Sequence, residues 1–236
     1  MSFSSAPVCA GCLEALRPLP DVRACELCGM PFEEAAVLQG TTRCGACLAE
    51  TPAFNRARSF GVYEGTLRRL IHLLKYERMQ PLAKPLSDAM AVTMESLPTP
   101  DLLVPVPLFR TRQWRRGFNQ ALTLSRGLAR RTGIPLDKQA VRRRRDTQPQ
   151  AGLSYAERRR NVAGAFVVSQ RGRVAGKVIL VIDDVMTTGA TLDACARSLK
   201  KAGAKSVFAL TVARAKRRLL PVDKKRSAGE AKRRAS

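Results

Sequence analysis

Residues Val178 to Thr191, Val-Ile-Leu-Val-Ile-Asp-Asp-Val-Met-Thr-Thr-Gly-Ala-Thr, constrain the fold of this chain more than any other stretch. An aliphatic run stops at two adjacent carboxylates, and a loop of hydroxyls with one glycine follows. An amphipathic segment, Leu192 to Ala202, then ends at Gly203. An unbroken aliphatic run predicts a strand buried on both faces, and so helices above and below a mostly parallel sheet. Strand, acid pair, loop and helix N-terminus, in that order, place a ligand crevice at the carboxyl end of the sheet.

The loop suits a phosphorylated ribose. Backbone N–H groups along Thr187, Thr188, Gly189, Ala190 and Thr191, with the threonine hydroxyls, can surround a phosphate at the positive end of a helix. Gly189 lets the chain approach the anion closely. Asp183 and Asp184 can accept hydrogen bonds from a pair of ribose hydroxyls. The segment resembles the 5-phosphoribosyl 1-pyrophosphate (PRPP) motif of type I phosphoribosyltransferases. A Walker A loop is excluded because no Gly-Lys-Ser/Thr follows, and no Gly-x-Gly-x-x-Gly supports a dinucleotide fold.

Forty-two Lys and Arg against nineteen Asp and Glu give 236 residues a net charge of +23. Such an excess predicts a polyanionic partner, nucleic acid or a heavily phosphorylated ligand, with a merely solvated basic surface as the alternative. The cations come in blocks: Arg110 to Arg131 with Arg142, Arg143, Arg144 and Arg145, then Arg158 to Arg160, then a tail from Arg214. No apolar run approaches the roughly 18 residues of a membrane span, and the first residues lack the pattern of a signal peptide. A cytoplasmic chain without membrane insertion is expected.

Six of the seven cysteines form Cys-x-x-Cys pairs: Cys9/Cys12, Cys25/Cys28 and Cys44/Cys47. Two such turns converge four thiolates on one tetrahedral ion, and the fifteen residues between Cys28 and Cys44 suit a zinc ribbon. Cys25, Cys28, Cys44 and Cys47 are therefore the expected structural Zn2+ ligands. Cys9 and Cys12 supply two thiolates where four ligands are needed, which leaves a half-site, alternative ligands or a remnant. Cys195, on the apolar side of a helix, reads as a core thiol.

Residues 1–53 read as a zinc-ribbon module too poor in aliphatics to fold unaided. Residues 54–213 alternate strands with helices, and 214–236 read as a basic disordered tail. Strands are expected at Ser59–Tyr63, Asp101–Pro107, Phe166–Ser169, Val178–Ile182 and Ser206–Ala213. Helices are expected at Thr66–Tyr76, Leu82–Ser96, from Gly117, and at Leu192–Ala202. Val141–Leu153, rich in arginine, reads as a long mobile loop.

Further segments carry a closer resemblance. They are Tyr63-Glu-Gly with Leu-Ile-His72-Leu-Leu-Lys-Tyr76, Val-Pro-Val-Pro107 with Arg115-Arg-Gly-Phe-Asn119-Gln120, and Thr147-Gln-Pro-Gln150 with Glu157-Arg-Arg-Arg-Asn161-Val. Together with the acid–hydroxyl segment they resemble the ComF family across nearly all of the chain before the tail. The resemblance implies a type I phosphoribosyltransferase fold behind an amino-terminal zinc module. It also implies Mg2+ with PRPP, a link to natural transformation and single-stranded DNA, and a partner in the competence machinery. Longer members carry one more Cys-x-x-Cys pair ahead of the position of Cys9, so an upstream start restoring that pair is one expectation and an idle Cys9/Cys12 pair the other.

Two functions follow. In the enzymatic one, the turn after Pro107 holds pyrophosphate, and Arg115 and Arg116, or Arg142 to Arg145 on the mobile loop, close over it. His72, the only histidine, reads as a partly buried helix residue. In the binding one, PRPP or a nucleotide is only a ligand, and arginines hold the phosphates of single-stranded DNA. Trp114 is the aromatic best suited to stacking; Phe118 and Tyr155 read as core.

Overall fold

The aliphatic run from Val178 forms the expected strand, and the strand continues through both acids to Met186. The computed structural model describes residues 8–19, 24–32, 42–109, 111, 114, 117–147 and 154–215. Short helices α1 (Ala10–Glu14) and α2 (Gly45–Ala49) precede strand β1 (Arg56–Val62), helices α3 (Gly65–Tyr76) and α4 (Ala83–Met94), and strand β2 (Leu102–Pro105). Helix α5 (Gln120–Thr132), strand β3 (Val141–Arg143), helix α6 (Tyr155–Val162) and strand β4 (Phe166–Val168) lead to β5 (Val178–Met186). Helix α7 (Ala190–Lys201) and β6 (Ser206–Arg214) complete the order.

The sheet runs β1-β6-β5-β2, every neighbour parallel, while β3 and β4 form a separate antiparallel pair. Period-two alternation along β5 divides the core. Ile179 and Val181 face Val104, Ala209, Leu192, Cys195 and Leu199 on the α7 side. Leu180 and Ile182 face Leu74, Leu86, Met90, Leu124 and Leu128 on the side of α3, α4 and α5. Each such side chain, fully buried, contributes about 1.5–3 kcal/mol, so both layers are needed to hold the sheet.

Four expectations are corrected. The strand does not stop at Ile182, because Asp183 to Met186 stay in register with Thr211 to Arg214 while the acids open onto a cavity. Val141–Leu153 is not one mobile loop: Val141 is buried, and Val141 to Arg143 pair with Val168 to Phe166. Arg214 is not tail. It closes β6 at 3% exposure, held by the backbone of the loop after β5. His72 is exposed and stacks on Tyr76, because it points off the apolar stripe of Leu67, Leu70, Ile71 and Leu74. Residues 216–236, including the rest of the basic tail, lie outside the described residues.

The cysteine module shares this core. Cys25, Cys28, Met30 and Cys47 pack with Phe54 and Ala57 on the α7 side, and Leu27 O accepts from Ala57 N–H at 2.7 Å. Val8, Cys12 and Leu16 pack on the opposite side.

Helices α4 and α5 touch where Gly127 faces Ser87. A Cβ on Gly127 would meet Ser87 Oγ and, at 2.7 Å, Ser87 Cβ, and Ser87 is 1% exposed. Gly127→Ala gains about 1 kcal/mol in helix propensity, but overpacking costs about 1–3 kcal/mol. The variant should unfold at a lower urea midpoint than wild type; a raised midpoint would show that Ser87 yields freely.

Candidate functional site

Alternation along β5 also separates the two acids. Asp184 turns toward α3, where Lys75 Nζ lies 2.9 Å from its Oδ1, with both side chains little exposed. Burial opposes the Lys75 charge, yet the Asp184 carboxylate outweighs it and holds Lys75 above its ordinary range. Asp183 lies on the other face, in the field of Arg143 and beside the buried thiol of Cys195. Burial, then the neighbouring Asp184 charge, push Asp183 up to about 7; the Asp184 N–H, Lys75 and Arg143 only partly counter this.

A cavity of about 530 Å3 opens above these acids. Tyr63, Lys75, Tyr76, Asn119, Gln120, Arg143 and Arg158 form its walls together with the loop after β5. Asn119 caps α5 by accepting from Leu122 N–H, and its Nδ2 donates to Val106 O at 3.0 Å, tying the turn after β2 to the helix.

Gly189 caps α7 at φ 81°, and a Cβ there would meet Met186 Cε at 2.6 Å. Only glycine fits this corner. Thr187, Gly189, Ala190 and Thr191 border the cavity. Thr188 turns inward, its hydroxyl accepting from Ala190 N–H at 3.3 Å. Beneath the loop, Arg214 Nη1 donates to Met186 O at 3.0 Å and to Thr187 O.

The structure disperses the arginines expected to act together. Arg143 reaches the cavity, stacks over Phe166 and donates to Thr147. Arg142 is exposed on the same strand, and Arg145 donates to Asn161 O and Ala163 O at the end of α6. Arg144 faces a second cavity. Arg115 and Arg116 lie outside the described residues, as do Arg110 and Arg112. Trp114 is 86% exposed and so is not core, whereas Phe118 packs against the α3 side; the Tyr155 side chain is outside the described part.

Lys75 and Arg158 escaped the sequence reading. Lys75 carried a signal: it follows Ile71 by four residues and so continues the buried stripe of its helix. Arg158 carried one too, since Ser154-x-x-Glu157 is the capping box that starts α6 and puts Arg158 on a helix.

The Sγ atoms of Cys25, Cys28, Cys44 and Cys47 all lie within 4.8 Å of one another, with Cys28 and Cys44 at 3.6 Å. Tetrahedral zinc at about 2.3 Å from each sulfur sets sulfurs about 3.8 Å apart, so the four cysteines form a cluster able to hold zinc. Hydrogen bonds from the other three thiols, Cys28 foremost, hold Cys25 far below the usual thiol range. Cys9 and Cys12 face one another at the start of α1 and do not join the cluster. Cys195 is buried core.

The second cavity, about 740 Å3, lies across α6, α7 and β4. Arg144, Arg159, Arg160, Arg171, Arg197 and Lys201 line it with Glu50 and Asp193. Arg159 and Arg197 are pinned by those two acids, Arg159 3.1 Å and Arg197 3.1 Å from Asp193 Oδ2. Among the described residues no ion pair joins Arg144, Arg171 or Lys201 to an acid, and all three are exposed at the rim. No helix among the described residues is long and apolar enough to cross a membrane.

Comparison with known proteins bears on these features. Residues 118–231 match the phosphoribosyl transferase domain. The DNA utilization protein YhgH of Salmonella typhi is 35% identical over 213 residues, covering 88% of this chain and 90% of that protein. Competence protein F of Haemophilus influenzae is 33% identical, with 88% and 90% covered. Competence protein ComFC of Bacillus subtilis is 28% identical, with 88% and 84% covered.

The environment of Asp183 makes stability depend on pH. Its carboxyl titrates near 7 in the folded chain and near 3.8 when exposed, so the unfolded chain releases this proton first. The contribution of Asp183 to stability therefore falls as pH rises from about 4 to about 7. Asp183→Asn should match wild type near pH 3 and exceed it at pH 8 by on the order of 1–3 kcal/mol in urea unfolding. An equal offset at both values would contradict the assignment.

Proposed function

The chain belongs to the ComF family, with a type I phosphoribosyltransferase fold, and we propose that its main cavity binds PRPP with Mg2+ in the service of DNA handling. The observation that carries this reading is the acid pair and hydroxyl loop meeting three cations, Lys75, Arg143 and Arg158, around one cavity. Thr187, Gly189, Ala190 and Thr191 would hold the 5-phosphate at the N-terminus of α7. Asp183 and Asp184 would accept from the ribose hydroxyls and lie where they can hold the magnesium hydration shell. Bound magnesium would neutralise charge on a departing diphosphate. Arg143 and Arg158 stand where they can share that task.

Accepting from a ribose hydroxyl pair through both oxygens, with magnesium nearby, favours the ionised form of Asp183. Binding near pH 7 should therefore release protons, seen as a binding enthalpy that depends on buffer ionisation enthalpy in calorimetry. Replacing both acids by Asn should remove PRPP binding while leaving the thermal transition in place. A folded double variant with unchanged affinity would sink this reading.

The four-cysteine cluster would hold one zinc. Four thiolates leave no open coordination position, so such an ion is structural. Metal analysis of purified protein should find about one zinc per chain for this cluster, and a folded, zinc-free protein would contradict it.

The second cavity supports nucleic-acid binding beside PRPP binding. Its exposed rim cations face outward, where they can meet backbone phosphates. Changing Arg144, Arg160, Arg171 and Lys201 together to Gln should weaken single-stranded DNA binding equally across sequences. The salt slope should become shallower by about 2–3. PRPP affinity should be unchanged. A wild type that binds no DNA at low salt would leave the groove a solvated surface.

A further inference from the structure

Arg214 is 3% exposed at the end of β6, and no carboxylate among the described residues pairs with it. Its Nη1 donates to Met186 O and Thr187 O, its Nη2 lies 3.7 Å from Cys28 Sγ, and its Nε has no partner among the described residues. A guanidinium buried without an anion is strongly destabilising. Glu50 and Asp193 border the same small space but are taken up by Arg159 and Arg197. That leaves, among the described residues, the cysteine cluster, whose four thiolates around a divalent ion would carry a formal charge of about −2.

The same guanidinium shapes the loop. A trans peptide points its C=O and N–H in opposite directions. By accepting from Arg214, the carbonyls of Met186 and Thr187 fix the next two N–H groups away from the guanidinium. The loop is a thin wall. Thr187 and Gly189 border the main cavity, and they also border a space of only about 20 Å3 shared with Cys28, Cys47 and Arg214, room for about one water.

We infer that Arg214 is a positioning residue that joins the four-cysteine centre to the phosphate loop, so that metal binding at one and anion binding at the other are a single linked equilibrium. The inference rests on the reading that the cluster holds zinc and the loop holds the phosphate of PRPP. With the metal present, Arg214 has a counter-anion and keeps both carbonyls. Without it, Cys28 is no longer fixed beside the guanidinium and Arg214 loosens its hold on Thr187 O, while Met186 O keeps the bond from Ala215 N–H.

The test uses the full-length protein, zinc-loaded and stripped by a chelator, with amide exchange followed by mass spectrometry. Exchange at Thr187 to Thr191 should accelerate at least tenfold on stripping, while Ile179 to Ile182 stay protected. Equal loop exchange in both forms overturns the inference, and this arm needs no ligand. Linkage is reciprocal: PRPP with Mg2+ should tighten zinc in a chelator competition by the same factor by which zinc tightens PRPP. A wild type that binds no PRPP would refute the ligand reading alone. Should stripping unfold the whole module, zinc-loaded Arg214→Lys and Arg214→Gln decide. Gln should lose at least tenfold in zinc affinity and speed loop exchange. Lys, which keeps the charge but not the fork, should retain most of the zinc affinity while the loop still loosens. Zinc affinity and loop exchange at wild-type values in Gln overturn the inference.

Discussion

Everything at the site depends on β5 remaining a strand after its side chains turn polar. A strand shows alternate residues to opposite faces, so two adjacent acids cannot share one environment. Asp184 falls on the α3 side and is neutralised by Lys75, an ion pair shielded from water. Asp183 falls on the α7 side without an equal partner and is pushed toward neutrality by burial. One register thus creates two carboxyls of different character at one cavity. A one-residue slip would exchange them and would drive the aliphatic run out of both core layers.

The cysteine cluster is bound into the same design. Cys25, Cys28 and Cys47 belong to the core layer that contains Phe54, Ile179 and Leu199, so the small module lacks a core of its own. Asp193 reinforces the join, accepting from Ala53 N–H at 2.6 Å while pinning Arg159 and Arg197. A metal held there would lend rigidity to the wall of the main cavity as well as to the ribbon.

Much of this was legible in the residues. The aliphatic run, the acid pair and the hydroxyl loop announced a parallel sheet and a phosphate-sized turn, and the Cys-x-x-Cys spacing announced the cluster. What stayed hidden depended on tertiary pairing. The strand at Val141 has three residues and forms only because Phe166 to Val168 lie beside it, which local composition could not show. Lys75 reads as the polar end of an amphipathic helix until β5 sets a carboxylate beneath it. Arg214 reads as the first residue of a basic tail until its burial under the loop is seen. In each case long-range packing overrode a local signal.

Charge shows the same division. A net charge of +23 says that the chain suits anions but not where they go, because arginine serves several ends. Arg145 caps the end of α6, Arg159 is locked between two acids, and Arg214 is buried. Neither Arg159 nor Arg214 offers its charge to solvent in the way that Arg144 or Lys201 does. At the main cavity the balance is small and specific. Lys75, Arg143 and Arg158 face Asp183 and Asp184, a formal +1 with both acids ionised and +2 with Asp183 protonated. Protonated Asp183 therefore favours an incoming diphosphate and disfavours a cation. Were a divalent ion to arrive with a diphosphate, it would reverse that preference and draw the proton off, so Asp183 would ionise as the two arrive together.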